Sequence, residues 1–391
     1  MTIVQDIIAA APASQRKAVK TPSLPGQVVL VLQGGGALGA YQAGVYQALH
    51  EVGIEPDWVI GTSIGAINAG IIAGNEVKDR LPRLREFWQR VERREFLGLA
   101  APWHGLIETM STFTTLIGGV PGFFEPNPPA FWGPHIRLGA EHAGYYSTAP
   151  LEATLGELVD CSLLNRCKPR LTVGVANVRT SQMHYFDARE TEITVRHIMA
   201  SGALPPAFPA IRIGEDYFWD GGILSNTPTE AIFDDNPRRD SLIFAVHMWN
   251  PAGEAPETIW EVLHRQKDIQ YSSRVASHIA RQRQVHRLRH VISELLTHIP
   301  ERERNTPRVR ELAGYGCVTQ MHVVQLLAPR LANEDHTKDI DFSASGIRAR
   351  WEAGYADTRR TVAAAPWEGE FDPLEGVILH QSTALPMSPM T

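Results

Sequence analysis

Two apolar runs, each breaking into glycine and then resuming with helical spacing, constrain this chain more than any other feature. The first is VLVLQGGGALGAYQAGV, Val29 to Val45. Its buried-type strand starts at Val28 and ends at Leu32, and Tyr41, Val45, Ala48 and Leu49 line one side of a helix from Tyr41 to Glu51, with Gly53 near its end. The second is DWVIGTSIGAINAGIIAG, Asp57 to Gly74, with Trp58 to Ile60 as a short strand, a sharp turn at Gly61 to Gly65, and a small-residue helix through Ala66, Ala69 and Ala73. Two strand-to-helix units in succession predict a parallel α/β sheet.

Gly34, Gly36 and Gly39 spell G-x-G-x-x-G, the pattern of a dinucleotide-binding turn. Such a site also wants an acidic residue at the end of the second strand to hold the ribose. Asp57 has the right separation but precedes its strand, which puts it at the opposite edge of the sheet from the turn. A P-loop fails too, because no G-K-[ST] follows. At the carboxyl end of the second strand stands Gly61-Thr62-Ser63-Ile64-Gly65, a G-x-S-x-G elbow in the strand-turn-helix context that its mechanics require. The flanking glycines let the backbone turn sharply and project the Ser63 hydroxyl over the positive end of the next helix, where a developing alkoxide is favoured. Successive glycines at Gly34, Gly35 and Gly36 can present backbone N–H groups to one oxygen. That turn is therefore read as an oxyanion hole, in which removal of one donor typically costs about 3 kcal/mol of transition-state stabilisation.

The 391 residues, 43% hydrophobic and 20% charged, suffice for one large or two ordinary domains. A net charge of −6 gives no global attraction for nucleic acid. Cys161, Cys167 and Cys317 lack paired C-x-x-C spacing, so neither a disulfide framework nor a metal site is expected, and a reducing, cytoplasmic setting fits. The stretch MTIVQDIIAAAPASQRKAVK is a poor export signal, since Asp6 interrupts its apolar part and the basic residues follow it. No stretch approaches the roughly 18 uninterrupted apolar residues of a spanning helix, so a membrane is reached only from its surface.

Composition divides the chain into an extension at 1–26, a core at 27–250 and a mainly helical extension at 251–391. Within the core, 98–139 shifts to proline, glycine, threonine and aromatics and reads as a cap or lid. Leu106, Met110, Phe113 and Ile117 there share one helical face, and Phe123, Phe124, Phe131 and Trp132 follow among prolines. Strands are expected at Leu171 to Val175, near Met183, at Ile211 to Ile213 with Tyr217 to Trp219, at Leu242 to Met248, and late at Met321, where a strand would rejoin the sheet. Helices are expected near His197 to Ser201, from Thr258 to about His298, and along DFSASGIRARWEAGYADTRRTV, where Ile347, Trp351 and Tyr355 line up. The basic RQRQVHRLRH, Arg281 to His290, reads as a solvated helix face, with anionic lipid head groups as the functional alternative.

The order Gly34-Gly35-Gly36-Ala37-Leu38-Gly39, Gly61-Thr62-Ser63-Ile64-Gly65 and Asp220-Gly221-Gly222 resembles the patatin-like phospholipase family, as do ASGALPPAFP from Ala200 and NTP from Asn226. The region beyond about 250 resembles a C-terminal extension of some bacterial members. The resemblance implies a three-layer α/β/α fold with a mostly parallel sheet, acyl hydrolase activity of the phospholipase A or lysophospholipase type, and a serine-aspartate dyad of Ser63 and Asp220. No cofactor or metal is implied. Asp220 follows apolar Tyr217-Phe218-Trp219, and burial there would raise its proton affinity toward the working pH of a general base. A triad in the order Ser, Asp, His, with His247 at the end of a strand, is the alternative to the dyad. Other readings kept open are an esterase or transacylase on a soluble ester such as a hydroxyalkanoate oligomer, a nucleotide-binding module, and a catalytically silent lipid-binding scaffold. The expected partner is a lipid or other acyl ester, with peripheral membrane contact at most, and the long C-terminal helices leave surface for self-association.

Overall fold

The computed structural model describes residues 23–93, 118–272, 275–331, 334 and 336–381. Both strand-to-helix units form. Strand β1 (Gln27–Leu32) leads through the glycine turn and a 3-10 turn (Gly36–Gly39) into α1 (Ala40–Glu51). Strand β2 (Trp58–Thr62) turns at Ser63 into α2 (Ile64–Ala73), and α3 (Val77–Arg90) follows. A small ribbon of β3 (Glu125–Pro126) and β4 (Tyr146–Ser147) precedes α4 (Ala149–Leu158), α5 (Cys161–Leu164), β5 (Arg170–Asn177), β6 (Met183–Asp187) and α6 (Val195–Ser201). Then come β7 (Ile211–Ile213), β8 (Asp216–Asp220), α7 (Glu230–Phe233) and β9 (Ser241–His247). The rest is α8 (Ile259–Ser272), α9 (Val275–Thr297), α10 (Glu301–Arg304), α11 (Pro307–Ala313), β10 (Met321–Leu327), α12 (Ala344–Ala364) and β11 (Val377–Gln381).

The main sheet has the order β11-β10-β9-β1-β2-β5-β8-β7, with β6 also paired to β5. Every pairing from β11 to β5 is parallel, whereas β6, β8 and β7 join antiparallel. Because successive side chains of a strand point to opposite faces, Val28, Leu30 and Leu32 pack with Tyr41 and Val45 of α1 and Ile64 and Ile67 of α2. Val29 and Val31 pack instead with Ile232 and Phe233 of α7 and Ile279 of α9. Burial on both faces explains why the strands read as continuous apolar runs, and the result is a three-layer α/β/α fold with a mostly parallel sheet. Strand β1 lies between β2 and β9, so the strand order reverses there and leaves a crevice at the carboxyl ends, the usual ligand position in an open α/β sheet.

Beyond residue 250 the chain enters the same sheet twice, through β10 and through β11, a strand that the sequence pattern did not reveal. Helix α12 packs along α1 through glycines on each: a Cβ at Gly44 would stand 2.0 Å from the Trp351 carbonyl oxygen, and one at Gly354 2.0 Å from that of Tyr41. Trp351 Nε1 donates to Gln47 Oε1 (2.7 Å), Tyr355 to Glu51 (2.7 Å) and Tyr41 to Asp357 (2.9 Å) across this contact. Among the described residues, the helical pattern expected from Thr258 to about His298 is occupied by α8 and α9. The basic segment is not simply a solvated face, since His286 and His290 are buried and His290 bridges the carbonyl oxygens of Pro373 and Thr319, each at 2.9 Å. In the expected cap, Leu106, Met110, Phe113 and Ile117 lie outside the described residues. Phe123 and Phe124 are buried against Phe208, while Phe131 and Trp132 are exposed.

Candidate active site

Strand register brings the three glycine-containing segments together. Thr62 pairs with Gly174 and Asp220 with Val175, so the residue after Thr62 and the last residue of β8 flank adjacent positions of β5. Leu32 pairs with Gly61, which sets the glycine turn on the other side of Ser63. The approach is close: a Cβ on Gly34 would lie 2.9 Å from Ser63 Cβ.

Ser63 has φ 57° and ψ −129°, a conformation that costs a non-glycine residue about 1–3 kcal/mol. Its surroundings hold it there. The Ser63 N–H donates to Ser201 Oγ (2.9 Å), which in turn donates to the Gly174 carbonyl (2.7 Å). A side chain at Gly65 would meet the Leu32 carbonyl oxygen at 2.2 Å, and one at Gly61 the Gly65 carbonyl oxygen at 2.3 Å, so the elbow closes only without them. Gly39 packs as tightly on Ile64, and Gly221 on the Gly174 backbone. Ser63 therefore stands at the start of α2, where the unpaired amides and the helix dipole favour negative charge.

Asp220 is 2% exposed. Its Oδ1 accepts the Gly222 N–H at 2.7 Å. Burial pushes its carboxyl up, and the hydrogen bonds from Ser63 and the Gly222 amide pull it partly back, leaving it at about 7. A carboxylate with a proton affinity near neutrality, hydrogen-bonded to a serine hydroxyl, can accept that hydroxyl's proton at working pH.

The glycine turn differs from expectation in one respect. The Gly34 N–H is engaged by the Asn226 carbonyl (3.2 Å), because the loop after β8 crosses over it. The Gly34 carbonyl accepts from Asn226 Nδ2 (3.1 Å) and Trp249 Nε1 (2.8 Å). Gly34 is thus the anchor of the turn, and Gly35 and Gly36 carry the amides that no backbone acceptor takes up among the described residues. Gly36 has φ +56° and abuts the Asp339 carbonyl oxygen, 2.1 Å from where a Cβ would be. Below the turn, Gln33 is fully buried; its Nε2 donates to Thr227 Oγ1 (2.7 Å) and its Oε1 accepts from the Met248 amide (2.5 Å).

His247 ends β9, and burial alone pushes it down to about 4. A triad histidine would be held up by an adjacent carboxylate, and no carboxylate contributes here. Asp57 accepts the Val28 N–H (2.8 Å) at the start of β1, the edge of the sheet away from the glycine turn, as its position in the sequence indicates. The three cysteines are free. Among the described residues, no cluster of three or more His, Cys, Asp or Glu could hold a metal, and no helix is long and apolar enough to cross a membrane.

Sequence reasoning did not single out Ser201, Asn226, Gln33, Trp249 or Asp339. Ser201 and Asn226 lie in segments already noted for their likeness to the family. Nothing local marks Gln33, Trp249 or Asp339.

A family model described as Patatin-like phospholipase matches residues 30–233, and a second, described as Patatin phospholipase, matches 269–374. Among solved structures the chain is similar to VipD from Legionella pneumophila at 16% identity and a TM-score of 0.37, over 92% of this chain and 73% of that one. It is also similar to ExoU in the heterodimeric ExoU-SpcU complex of Pseudomonas aeruginosa at 16% identity and a TM-score of 0.34, over 89% of this chain and 53% of that one. The chain thus spans about half the length of that neighbour. A comparison with curated proteins finds no match. The first family model alone covers more than half of the chain, and it includes the elbow, the glycine turn and the Asp220 loop that the strand register draws together: the chain belongs to the patatin-like phospholipase family and is an ester hydrolase.

Proposed function

We propose that Ser63 and Asp220 form a nucleophile-base dyad that cleaves carboxylic esters of lipids in the manner of a phospholipase A or lysophospholipase, with the Gly35 and Gly36 amides as the oxyanion hole. The observation that carries this reading is the strand register that brings Ser63, just after β2, and the buried carboxyl of Asp220, at the end of β8, beside adjacent positions of β5, with burial raising that carboxyl to about 7. Ser63 Oγ attacks the ester carbonyl carbon while its proton passes to the Asp220 carboxylate, and the carbonyl oxygen gains negative charge facing the two amides. Collapse expels the alcohol, which takes the proton from Asp220. Water then attacks the acyl-serine with Asp220 again as base, and collapse releases the carboxylic acid as Asp220 returns the proton to Ser63 Oγ. Neutral His247 needs no part in the sequence.

Labelling with a fluorophosphonate probe tests the reading, because phosphonylation requires an activated serine. Modification confined to Ser63, lost in Ser63→Ala and slowed in Asp220→Asn, is the expected result. Folded protein that takes no label overturns it. Turnover of aggregated over dispersed ester then identifies a lipid substrate, whereas equal rates point to a soluble ester.

A further inference from the structure

The oxyanion turn is built of three glycines and has no side chains with which to fix its own aim. Its Gly34 end is tied to Asn226 and Trp249, as above. Its Gly36 end is tied to the C-terminal extension: the Ala37 N–H donates to the Asp339 carbonyl oxygen at 2.8 Å, and that same oxygen abuts Gly36.

The Asp339 carbonyl is itself held by a reciprocal pairing of two Lys-Asp dipeptides. Lys267-Asp268 lies on α8, and Lys338-Asp339 on the turn that touches the glycines. Lys267 Nζ donates to Asp339 Oδ1 (2.6 Å) and to the His336 carbonyl (2.8 Å). In the opposite sense Lys338 Nζ donates to Asp268 Oδ1 (2.8 Å) and to His264 Nε2 (3.3 Å), and it lies 5.0 Å from the Trp249 ring centroid. Lys338 and Asp268 are 6% and 5% exposed. A buried pair of this kind adds little net stability compared with apolar packing, so its geometric effect is the informative one. One turn further along α8, the Tyr271 carbonyl accepts from Gln33 Nε2 (3.2 Å) and Asn226 Nδ2 (3.4 Å). A single helix thus holds the turn's flanking residues from below and its Gly36 end from the side.

We propose that Lys267, Asp268, Lys338 and Asp339 are positioning residues of the ester-hydrolysing site: this crossed clasp, contributed by the C-terminal extension, sets the direction of the Gly35 and Gly36 amides. The inference rests on the oxyanion role given to those amides. It makes the extension part of the catalytic apparatus.

The test measures kcat and KM on a p-nitrophenyl ester, the rate of fluorophosphonate labelling at Ser63, and the thermal midpoint in the full chain. Lys267 and Asp339 are partly exposed, so Lys267→Met and Lys267→Arg are folding-tolerant variants; Lys338→Met is the stronger perturbation. Misplacement of reacting groups by about 1 Å costs on the order of 10²-fold. Lys338→Met should therefore lower kcat by about that factor, Lys267→Met by about 10-fold, with KM within about twofold, labelling slowed in parallel, and Lys267→Arg near wild type. Wild type that is labelled while Lys267→Met and Lys338→Met keep wild-type kcat overturns the clasp and leaves the dyad standing, as does a loss of activity fully matched by the unfolded fraction. If Lys338→Met does not fold, Lys267→Met against Lys267→Arg decides alone. Wild type that takes no label overturns the dyad and the clasp together.

Discussion

The burial that prepares Asp220 as a base also makes it a strain on the fold, and Asp220→Asn separates the two effects. A folded-state value of about 7 against an ordinary 3.8 means that ionised Asp220 opposes folding by about 4 kcal/mol once the pH is above both. The sign follows from linkage. A carboxyl raised on folding contributes stability that is complete below about pH 4 and is lost as pH rises through about 7. Asparagine can keep both hydrogen bonds, its Oδ1 accepting the Gly222 N–H and its Nδ2 donating to Ser63 Oγ, without carrying charge. With an unfolding entropy of about 0.8 kcal/mol/K for 391 residues, the variant should melt about 5 °C above wild type at pH 9, and the gain should shrink steadily toward pH 5. Hydrolysis should meanwhile fall by about 10²- to 10⁴-fold, and wild-type kcat/KM should rise with pH along a limb centred near 7. Calorimetry across pH, paired with ester assays, reads both. An equal melting difference at pH 5 and pH 9, or a lower midpoint for the variant at pH 9, would refute the argument that Asp220 is held at elevated proton affinity by burial.

Three further outcomes are expected. Ser63→Gly should abolish hydrolysis yet stabilise the chain by about 1–3 kcal/mol in denaturant titration, because glycine adopts φ 57° without strain; a destabilised variant would contradict the geometry of the elbow. His247→Ala should leave kcat within a few-fold while lowering stability through the cavity it opens, and hydrolysis lost as completely as in Ser63→Ala would restore the triad. Gly354→Ala should destabilise by about 1–3 kcal/mol or more through the clash with the Tyr41 carbonyl, and a neutral effect would show that α12 does not seat on α1 as described.

The local alphabet determined a good deal by itself. Apolar strands ending in glycine and passing into helices specified a parallel α/β sheet, with glycine meeting the positive φ at Gly36 and the close backbone approach at Gly65. The same turns marked Ser63, and the apolar residues ahead of Asp220 foretold its burial. Short-range rules are sufficient there, since each feature lies within a few residues of its cause.

What the tertiary structure alone decided is how distant segments divide the work around those turns. The Gly34 amide looks equivalent to its neighbours in the sequence but is taken up by Asn226, 192 positions away. Strand β11, the burial of His286 and His290, and the support of the glycine turn by Asp339 are likewise consequences of contacts between segments far apart in the chain. A hydrogen bond between residues hundreds of positions apart leaves no periodicity and no local composition to read, because its geometry is set by register and packing rather than by the propensities of either partner.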